Sequence, residues 1–300
     1  MSAVLPDGNY IDIAKVEGGA TYKAYMLGSR EGPINNVRAK YCPFSRQICQ
    51  HWPLKGVQPK SPLAPMLEAL VASAESALET TIKSVAVSAY DIGTIDHASA
   101  KADVKTALGE IGVDSHDRLD LVGRQLAPAL GIRGNCSDPY VLPHEPDYHQ
   151  DPEQIFFSIE YTRDSMTVGL WREECGVLEV INRLNAAHLG DNAMETCKET
   201  AKDKNTCEEG FKSALGSVIK DPIRGVGHEI ASVLVFGERA NDDAMLIALR
   251  QVIKEQFPNG NSVDFSRVET FSPDPTFAGS RAMAVAANGV EYERDFIREL

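Results

Sequence analysis

The chain has 300 residues, of which 43% are hydrophobic and 24% charged, and it carries a formal net charge of −13. This size and composition are typical of a globular protein with two domains or two lobes, and they exclude a mostly disordered chain. The acidic balance disfavours binding to nucleic acid or to an anionic membrane, because phosphate groups would be repelled, and no apolar run approaches the roughly 20 residues of a membrane span.

The start of the chain and its cysteines predict a soluble, cytoplasmic protein. No basic segment followed by an apolar stretch is present at the start, so a secretory signal is not expected. The six cysteines are scattered without a CxxC pair, whereas disulfide frameworks are typical of small secreted chains. Pairing of Cys197 with Cys207, which share a polar segment, is the less favoured alternative. His144 and His149 lie in a proline-rich connector without ligand spacing, so no metal is expected.

The first half of the chain predicts short strands followed by an alternation of helices and strands. Turn residues separate the β-prone runs, and apolar residues recur at helical spacing after Pro65. The predicted elements are strands over 10–16, 21–27 and 37–42, a helix over 66–78, a buried strand over 82–88, and helices over 98–111 and 119–130.

The second half starts again with strands after a connector over 138–152 that is rich in Pro, Asp and His. Its first three strands are separated by short turns, which indicates an antiparallel part of a sheet. The predicted elements are strands over 155–161, 166–171 and 177–184, a polar helical segment over 192–218, a buried strand over 230–236, a helix over 242–257, a strand over 268–271 and a helix over 276–287. We therefore expect two similar α/β lobes, 1–150 and 151–300, with a cleft between them.

Four segments carry a resemblance to a known family. They are MLEALVASAESALETTIKSVAVSAYDIGTIDHASAKADVKTALGEIGV, SIEYTRDSMTVGLWREECGVLEVINRLNAAHLGDN, VLVFGERANDD and PDPTFAGSRAMAVAA. In this order they resemble a helix–strand–helix unit, the second phosphate-loop hairpin, the adenosine-contacting strand and the final helix of the nucleotide-binding domain of the seventy-kilodalton heat-shock chaperones. The resemblance covers about three quarters of the chain. It implies the α/β, two-lobed actin-like ATPase fold with a central interlobe cleft.

The second phosphate loop departs from the family pattern, which reads Asp-Leu-Gly-Gly-Gly-Thr. The aligned stretch runs from Glu160 to Ser165, and all three glycines are replaced. Side chains keep such a loop from closing on phosphate, and Asp164 adds a negative charge where phosphate would lie. Glu160 replaces the family's aspartate, and its extra methylene moves the carboxylate by about an ångström.

The other nucleotide-binding segments depart as well. The best candidate for the first phosphate loop begins at Asp12 but lacks the Gly-Thr pair, and the adenosine motif keeps Gly237 with Glu238 in place of its second glycine. ATP hydrolysis by the family mechanism and a nucleotide cofactor are therefore not expected. The family's large second-lobe insertion is reduced to about residues 192–227, and its peptide-binding domain is not expected in this chain.

Ten residues are candidates for the site. They comprise Glu160, Asp164 and Glu238 as catalytic proton donors or hydrogen-bond acceptors, and Tyr90, Asp91, Tyr161, Thr162, Arg163, Gly237 and Arg239 as ligand contacts. Segments 160–165 and 237–239 are expected on opposite walls of one cleft. The alternative interpretations are a solvated turn at 163–164, an exposed ion pair at 238–239 and a capped loop at 90–91. His188 is interpreted as structural.

Two function hypotheses from different classes follow. In the first, the interlobe cleft binds a small, neutral or weakly charged, largely apolar organic molecule, and any catalysis is a cofactor-free cyclisation or isomerisation. The candidate wall carries three acidic and two basic side chains, so it does not favour a polyanion. In the second, the protein is a non-catalytic pseudo-ATPase that acts through a protein partner with weak or no nucleotide binding. An ATPase with unusual loops is the least favoured hypothesis.

Overall fold

A computed structural model describes residues 1–5, 9–23, 25, 61–88, 97–120, 126–127, 129–132, 151, 153–175, 177–186, 189–201, 205–220, 230–256 and 272–287. The chain is a mixed α/β protein that divides into two compact units. The first comprises Met1–Leu121 and Met283–Leu300, and the second comprises Val122–Ala282. The boundary expected from the sequence, between residues 150 and 151, falls inside the range of the second unit.

The first unit contains two small sheets and two helices among its described residues. Its core joins α1, α2 and β3 through side chains that include Leu67, Leu108 and Val85, and β3 pairs in parallel with β4. Strands β1 and β2 form a separate antiparallel pair. The elements are β1 (Ser2–Val4), β2 (Tyr10–Asp12), α1 (Ala64–Leu78), β3 (Ser84–Ser88), α2 (His97–Glu110) and β4 (Asp114–Asp120).

The predicted strand over 21–27 is wrong where the structure describes it, and the predicted helix over 119–130 is wrong at its start but helical at residues 126, 127 and 129. Residues 20–23 and 25 are helical, and not part of a strand, because helical spacing lets Tyr22 and Tyr25 pack together on the core. Leu119 and Asp120 belong to β4 and not to a helix, because they pair in parallel with β3. The predicted strand over 37–42 lies outside the described residues.

The second unit contains a four-stranded mixed sheet in the order β7-β6-β5-β8. Its three-stranded meander is antiparallel as predicted, and β8 pairs with β5 in parallel after a helical crossover. The elements are β5 (Gln154–Tyr161), β6 (Met166–Glu174), β7 (Val177–Ala186), α3 (Asp191–Thr200), α4 (Asn205–Lys220), β8 (Ile230–Phe236), α5 (Asp243–Gln256), a 3-10 turn (Pro275–Phe277) and α6 over residues 278–287.

Alternate residues of β5 form the centre of the second unit's core. Ile155, Phe157, Ile159 and Tyr161 belong to one buried cluster with side chains of α4 and α5, because successive residues of a strand face opposite sides of the sheet. Each such side chain contributes about 1.5–3 kcal/mol through burial. Since β5 and β8 run in parallel, their carboxyl-terminal ends lie side by side at one edge of the sheet.

The cysteines differ from the expectation of reduced thiols. Cys197, in the last turns of α3, forms a disulfide with Cys207, in the first turn of α4, and their Cα atoms are 6.1 Å apart. That separation is ordinary for a disulfide, and it arises because the two helices follow each other closely along the chain. Cys175 is also disulfide-bonded, and the part of the chain that the structure describes contains no free cysteine.

No helix within the described ranges combines the length and the apolar character that crossing a membrane would require.

Candidate functional site

The turn over residues 162–165 joins β5 to β6 and is closed by its own hydrogen bonds. The Thr162 N–H donates to the carbonyl oxygen of Ser165 at 3.0 Å. The Ser165 N–H donates to Thr162 Oγ1 at 3.1 Å. Two of the backbone donors that a phosphate loop would present to a ligand are therefore used inside the turn.

The start of α3 is attached to this turn. The Asp191 N–H donates to the Thr162 carbonyl at 3.1 Å, and the Asn192 N–H donates to the Arg163 carbonyl at 2.9 Å. Asn192 Nδ2 also donates to Asp164 Oδ1 at 3.2 Å. The turn thus supplies the acceptors that the first N–H groups of a helix need.

Gly190 makes this attachment sterically feasible. A Cβ at position 190 would lie 2.3 Å from the Ser165 nitrogen and 2.4 Å from the Asp164 carbonyl carbon. These are backbone atoms that cannot move aside as a flexible side chain could. The close approach of α3 to the turn therefore requires glycine at this position.

The end of β8 lies directly against the end of β5. Gly237 has a φ of +101°, and a Cβ there would lie 2.5 Å from the Tyr161 carbonyl oxygen. The Arg239 N–H donates to that same oxygen at 3.1 Å. Segments 160–165 and 237–239 are therefore in contact at one sheet edge, whereas the sequence predicts them on opposite walls of a cleft. The reason is that β5 and β8 are adjacent parallel strands.

Glu238 places a carboxylate on the turn. Its Oε1 accepts the Arg163 N–H at 3.0 Å and lies 3.5 Å from Arg163 Nε. The Glu238 side chain is 20% exposed, whereas that of Arg163 is 61% exposed. A charged acceptor on a backbone donor and a guanidinium is stronger than a neutral hydrogen bond. Glu238 therefore occupies a donor position that an external anion would need.

A second ion pair lies beside the first. Arg239 Nη2 is 2.6 Å from Asp191 Oδ2, and the Asp191 side chain is only 10% exposed. This contact joins the loop after β8 to the first residue of α3. A mostly buried carboxylate with a matched cation costs much less than one left alone. The pair therefore fixes Asp191 inside the structure.

Tyr161 lies next to these charges. Its ring meets that of Phe211 edge-on, with centroids 5.9 Å apart. Burial raises the pKa of the Tyr161 phenol above its ordinary value, the Asp191 and Asp242 carboxylates raise it further, and Arg239 opposes the shift. The phenol therefore stays protonated through the neutral range. Asp242 Oδ1 in turn accepts the Met245 N–H at 2.8 Å and caps the start of α5.

The structure brings together most of the expected site residues and separates one. Tyr161, Thr162, Arg163, Asp164, Gly237, Glu238 and Arg239 lie around the joined ends of β5 and β8. Glu160 is buried on β5, and strand alternation places it on the sheet face opposite Tyr161. It therefore does not share a face with Tyr161 and the helical core.

Three expected residues lie outside the described part of the chain: Tyr90, Asp91 and His188. Asp12 accepts a hydrogen bond from Ser2 Oγ at 2.9 Å across the β1–β2 pair. The sequence does not single out Asp191 and Asn192, because they lie at the start of a predicted polar helical segment. Their position after Gly190, at the junction of strand and helix, was the signal that could have identified them.

Among the described residues, the structure contains no cluster of three or more His, Cys, Asp or Glu side chains that could hold a metal ion. No protein-family model and no curated protein matches the chain.

Proposed function

We propose that this protein is a catalytically degenerate relative of the actin-like ATPases that acts by binding a partner protein and not by hydrolysing ATP. The antiparallel meander followed by a helical crossover to a parallel strand is compatible with the second lobe that the resemblance implies. The single observation that supports the proposal is the hydrogen bond that the Glu238 carboxylate accepts from the Arg163 N–H group.

This contact bears on nucleotide binding because a phosphate held by backbone N–H groups needs those groups available. Three donors of the turn already have protein acceptors: Thr162 N–H, Arg163 N–H and Ser165 N–H. A phosphate would have to displace the Glu238 carboxylate and tolerate repulsion from Asp164 and Asp191 nearby. The residues present therefore do not fit a nucleotide at this turn.

The same contacts give the expected catalytic carboxylates a structural use. Asp164 accepts from Asn192, Glu238 accepts from Arg163, and Glu160 is buried within the sheet. A general acid or base needs to reach a proton on a substrate. Because Asp164 and Glu238 already accept hydrogen bonds within the protein, this arrangement does not favour proton transfer to a substrate. Binding of an apolar molecule with cofactor-free cyclisation or isomerisation stays a prediction that no contact among the described residues favours.

Thermal unfolding of the whole chain with Mg-ATP, Mg-ADP and a panel of lipophilic compounds tests the proposal. A ligand that binds only the folded state raises the melting temperature. At a ligand concentration of 100 Kd it adds about 2.7 kcal/mol to the free energy of unfolding. We expect no shift with either nucleotide. A shift with Mg-ATP that EDTA abolishes would overturn the proposal, and a shift with a lipophilic compound alone would restore the small-molecule hypothesis.

The disulfides bear on the compartment in which the protein works. Disulfides persist in oxidising compartments and are rare in the cytosol. Cys175, Cys197 and Cys207 are all disulfide-bonded. We therefore propose an oxidising compartment in place of the cytoplasm expected from the sequence. Protein taken from its natural source and alkylated without reduction should carry no label on Cys175, whose disulfide is separate from the Cys197–Cys207 pair, and labelled Cys175 would restore the cytoplasmic expectation.

A further inference from the structure

Helix α3 connects the candidate site to a disulfide. Its first two residues, Asp191 and Asn192, supply two backbone hydrogen bonds to the 162–165 turn. The Asp191 side chain adds the ion pair with Arg239. Towards its other end, Cys197 is bonded to Cys207 of α4. The helix is thus attached at its start by polar contacts and near its end by one covalent bond.

The helix has little packing of its own between these attachments. It has 10 residues, and the only ones buried are Asp191 and Met194. Helices of this length are marginal in water without tertiary contacts. Its hold on the rest of the unit therefore depends strongly on what happens at its two ends.

By contrast, α4, which carries the other cysteine of the disulfide, is packed tightly against the sheet. Phe211, Leu215, Val218 and Ile219 on α4 are buried in the cluster that covers the sheet. Cys207 itself is 4% exposed, whereas Cys197 is only partly buried. The disulfide thus ties a weakly packed helix to a strongly packed one.

We propose that the Cys197–Cys207 disulfide is a redox-sensitive clamp that holds α3, and through α3 the 162–165 turn, in the arrangement observed. The clamp holds the turn in this arrangement whether or not a nucleotide binds there. With the disulfide intact, the Asp191 and Asn192 donors stay on the turn. With it reduced, the end of α3 is released and these contacts open more often.

The reductant is a dithiol, and the exchange is balanced in two steps. One thiolate of the dithiol attacks the more accessible Cys197 sulfur, which breaks the Cys197–Cys207 bond and leaves Cys207 as a thiol after it takes up a proton. The second thiol of the reductant then attacks the mixed disulfide and releases Cys197 as a thiol. Two electrons and two protons pass from the dithiol to the protein, and the reductant leaves as its own disulfide.

Amide hydrogen exchange on the full chain tests the clamp. The oxidised wild type is compared with a C197S/C207S double variant, which leaves every other cysteine in place. We expect exchange at the Asp191 and Asn192 N–H groups to be faster by about tenfold or more in the variant, since a disulfide of this kind typically contributes a few kcal/mol to local stability. Exchange at the Leu170 N–H, in the middle of β6, should accelerate by a clearly smaller factor, because loss of the disulfide lowers the stability of the whole unit as well.

A second measurement keeps the test decisive if the variant does not fold. Wild-type protein is treated briefly with a dithiol, alkylated, and mapped by mass spectrometry, and the exchange is measured on the species labelled only at Cys197 and Cys207. Equal protection of Asp191 and Asn192 in oxidised and reduced protein would overturn the clamp. So would labelling of the two cysteines only under conditions in which the β5–β6 amides also lose protection.

Discussion

Among single residues, Glu238 makes the contact with the clearest consequence. The E238A substitution leaves the Arg163 N–H and guanidinium without their carboxylate, and we expect it to lower the free energy of unfolding by about 1–2 kcal/mol. E238Q keeps an oxygen acceptor and loses the charge, so its cost should be smaller. Urea titration followed by circular dichroism measures both.

A matched control separates this contact from a general loss of acidic charge. Glu199 is exposed on α3 and carries the same charge, so E199Q should change the free energy of unfolding by less than about 0.5 kcal/mol. If E238A were as mild as E199Q, the Glu238 carboxylate would not hold the turn, and the proposed reason for weak nucleotide binding would fail with it.

Gly237 and Gly210 provide a contrasting pair of glycine substitutions. G237A forces an alanine to a φ of +101° with its Cβ 2.5 Å from the Tyr161 carbonyl oxygen, and we expect a loss of about 2 kcal/mol or more. Gly210 lies within α4, where a Cβ would meet nothing within 4 Å. G210A should therefore stabilise the protein by up to about 1 kcal/mol, because alanine favours a helix. Equal melting temperatures for the two variants would contradict this view of the strand ends.

The raised pKa of Tyr161 predicts how the free energy of unfolding changes at alkaline pH. Its pKa is raised in the folded state by burial and by Asp191 and Asp242, so the unfolded chain loses the phenol proton first as pH rises through about 10. Stability should then fall with increasing pH, by about 1.4 kcal/mol per pH unit for one proton. Y161F keeps the ring but lacks the ionisable hydroxyl group, so its free energy of unfolding should fall less steeply as pH rises.

Unfolding free energies of wild type and Y161F between pH 8 and about 11 measure this difference. Some decline should remain in the variant, because burial and the hydrogen bond to Asp103 raise the pKa of Tyr25 in the same direction. Identical slopes for the two proteins would show that Tyr161 ionises alike in the folded and unfolded states.

At the level of elements, hydrophobic pattern predicted the second unit well and the first unit less well. Strands β5 and β8 were predicted within a residue or so because their apolar runs are buried on both faces of the sheet. Helix α5 followed from its apolar spacing. The polar sequence of β4 gave no such signal, since its pairing with β3 is what makes it a strand. Pairing between distant segments is decided by the whole chain and not by local preference.

The candidate site was predictable only in part. The resemblance predicted that residues 160–165 and 237–239, some 75 positions apart, face each other across a cleft, whereas the structure places them in direct contact at the ends of two adjacent strands. The sequence did not indicate the start of α3, because the Asp191–Arg239 pair depends on how a crossover helix meets the turn. The Cys197–Cys207 disulfide was predicted only as the less favoured alternative, since cysteine spacing alone does not fix a partner.

For the whole molecule, introducing glycines at one loop should not create ATPase activity. A R163G/D164G/E238G variant removes the carboxylate from the turn and frees the Arg163-position N–H group. In the first unit, however, Asp12 accepts from Ser2 within a strand pair, and the residues after it lack the Gly-Thr that the resemblance would require. Phosphate transfer needs both loops and a placed cation at once, because catalysis here is mostly positioning. We therefore expect no phosphate release above that of the wild type.

Release of inorganic phosphate from Mg-ATP, measured beside wild type and E238A, checks this outcome. Each variant must first unfold cooperatively in urea, so that inactivity reflects the site and not the loss of the fold, and E238G alone replaces the triple variant if it does not. Because Thr162 and Ser165 keep donating within the turn, even weak ATP binding by the glycine variant should be absent from isothermal titration. Saturable, EDTA-sensitive phosphate release by the glycine variant would contradict this expectation and would show that the second unit's turn alone prevents ATP hydrolysis.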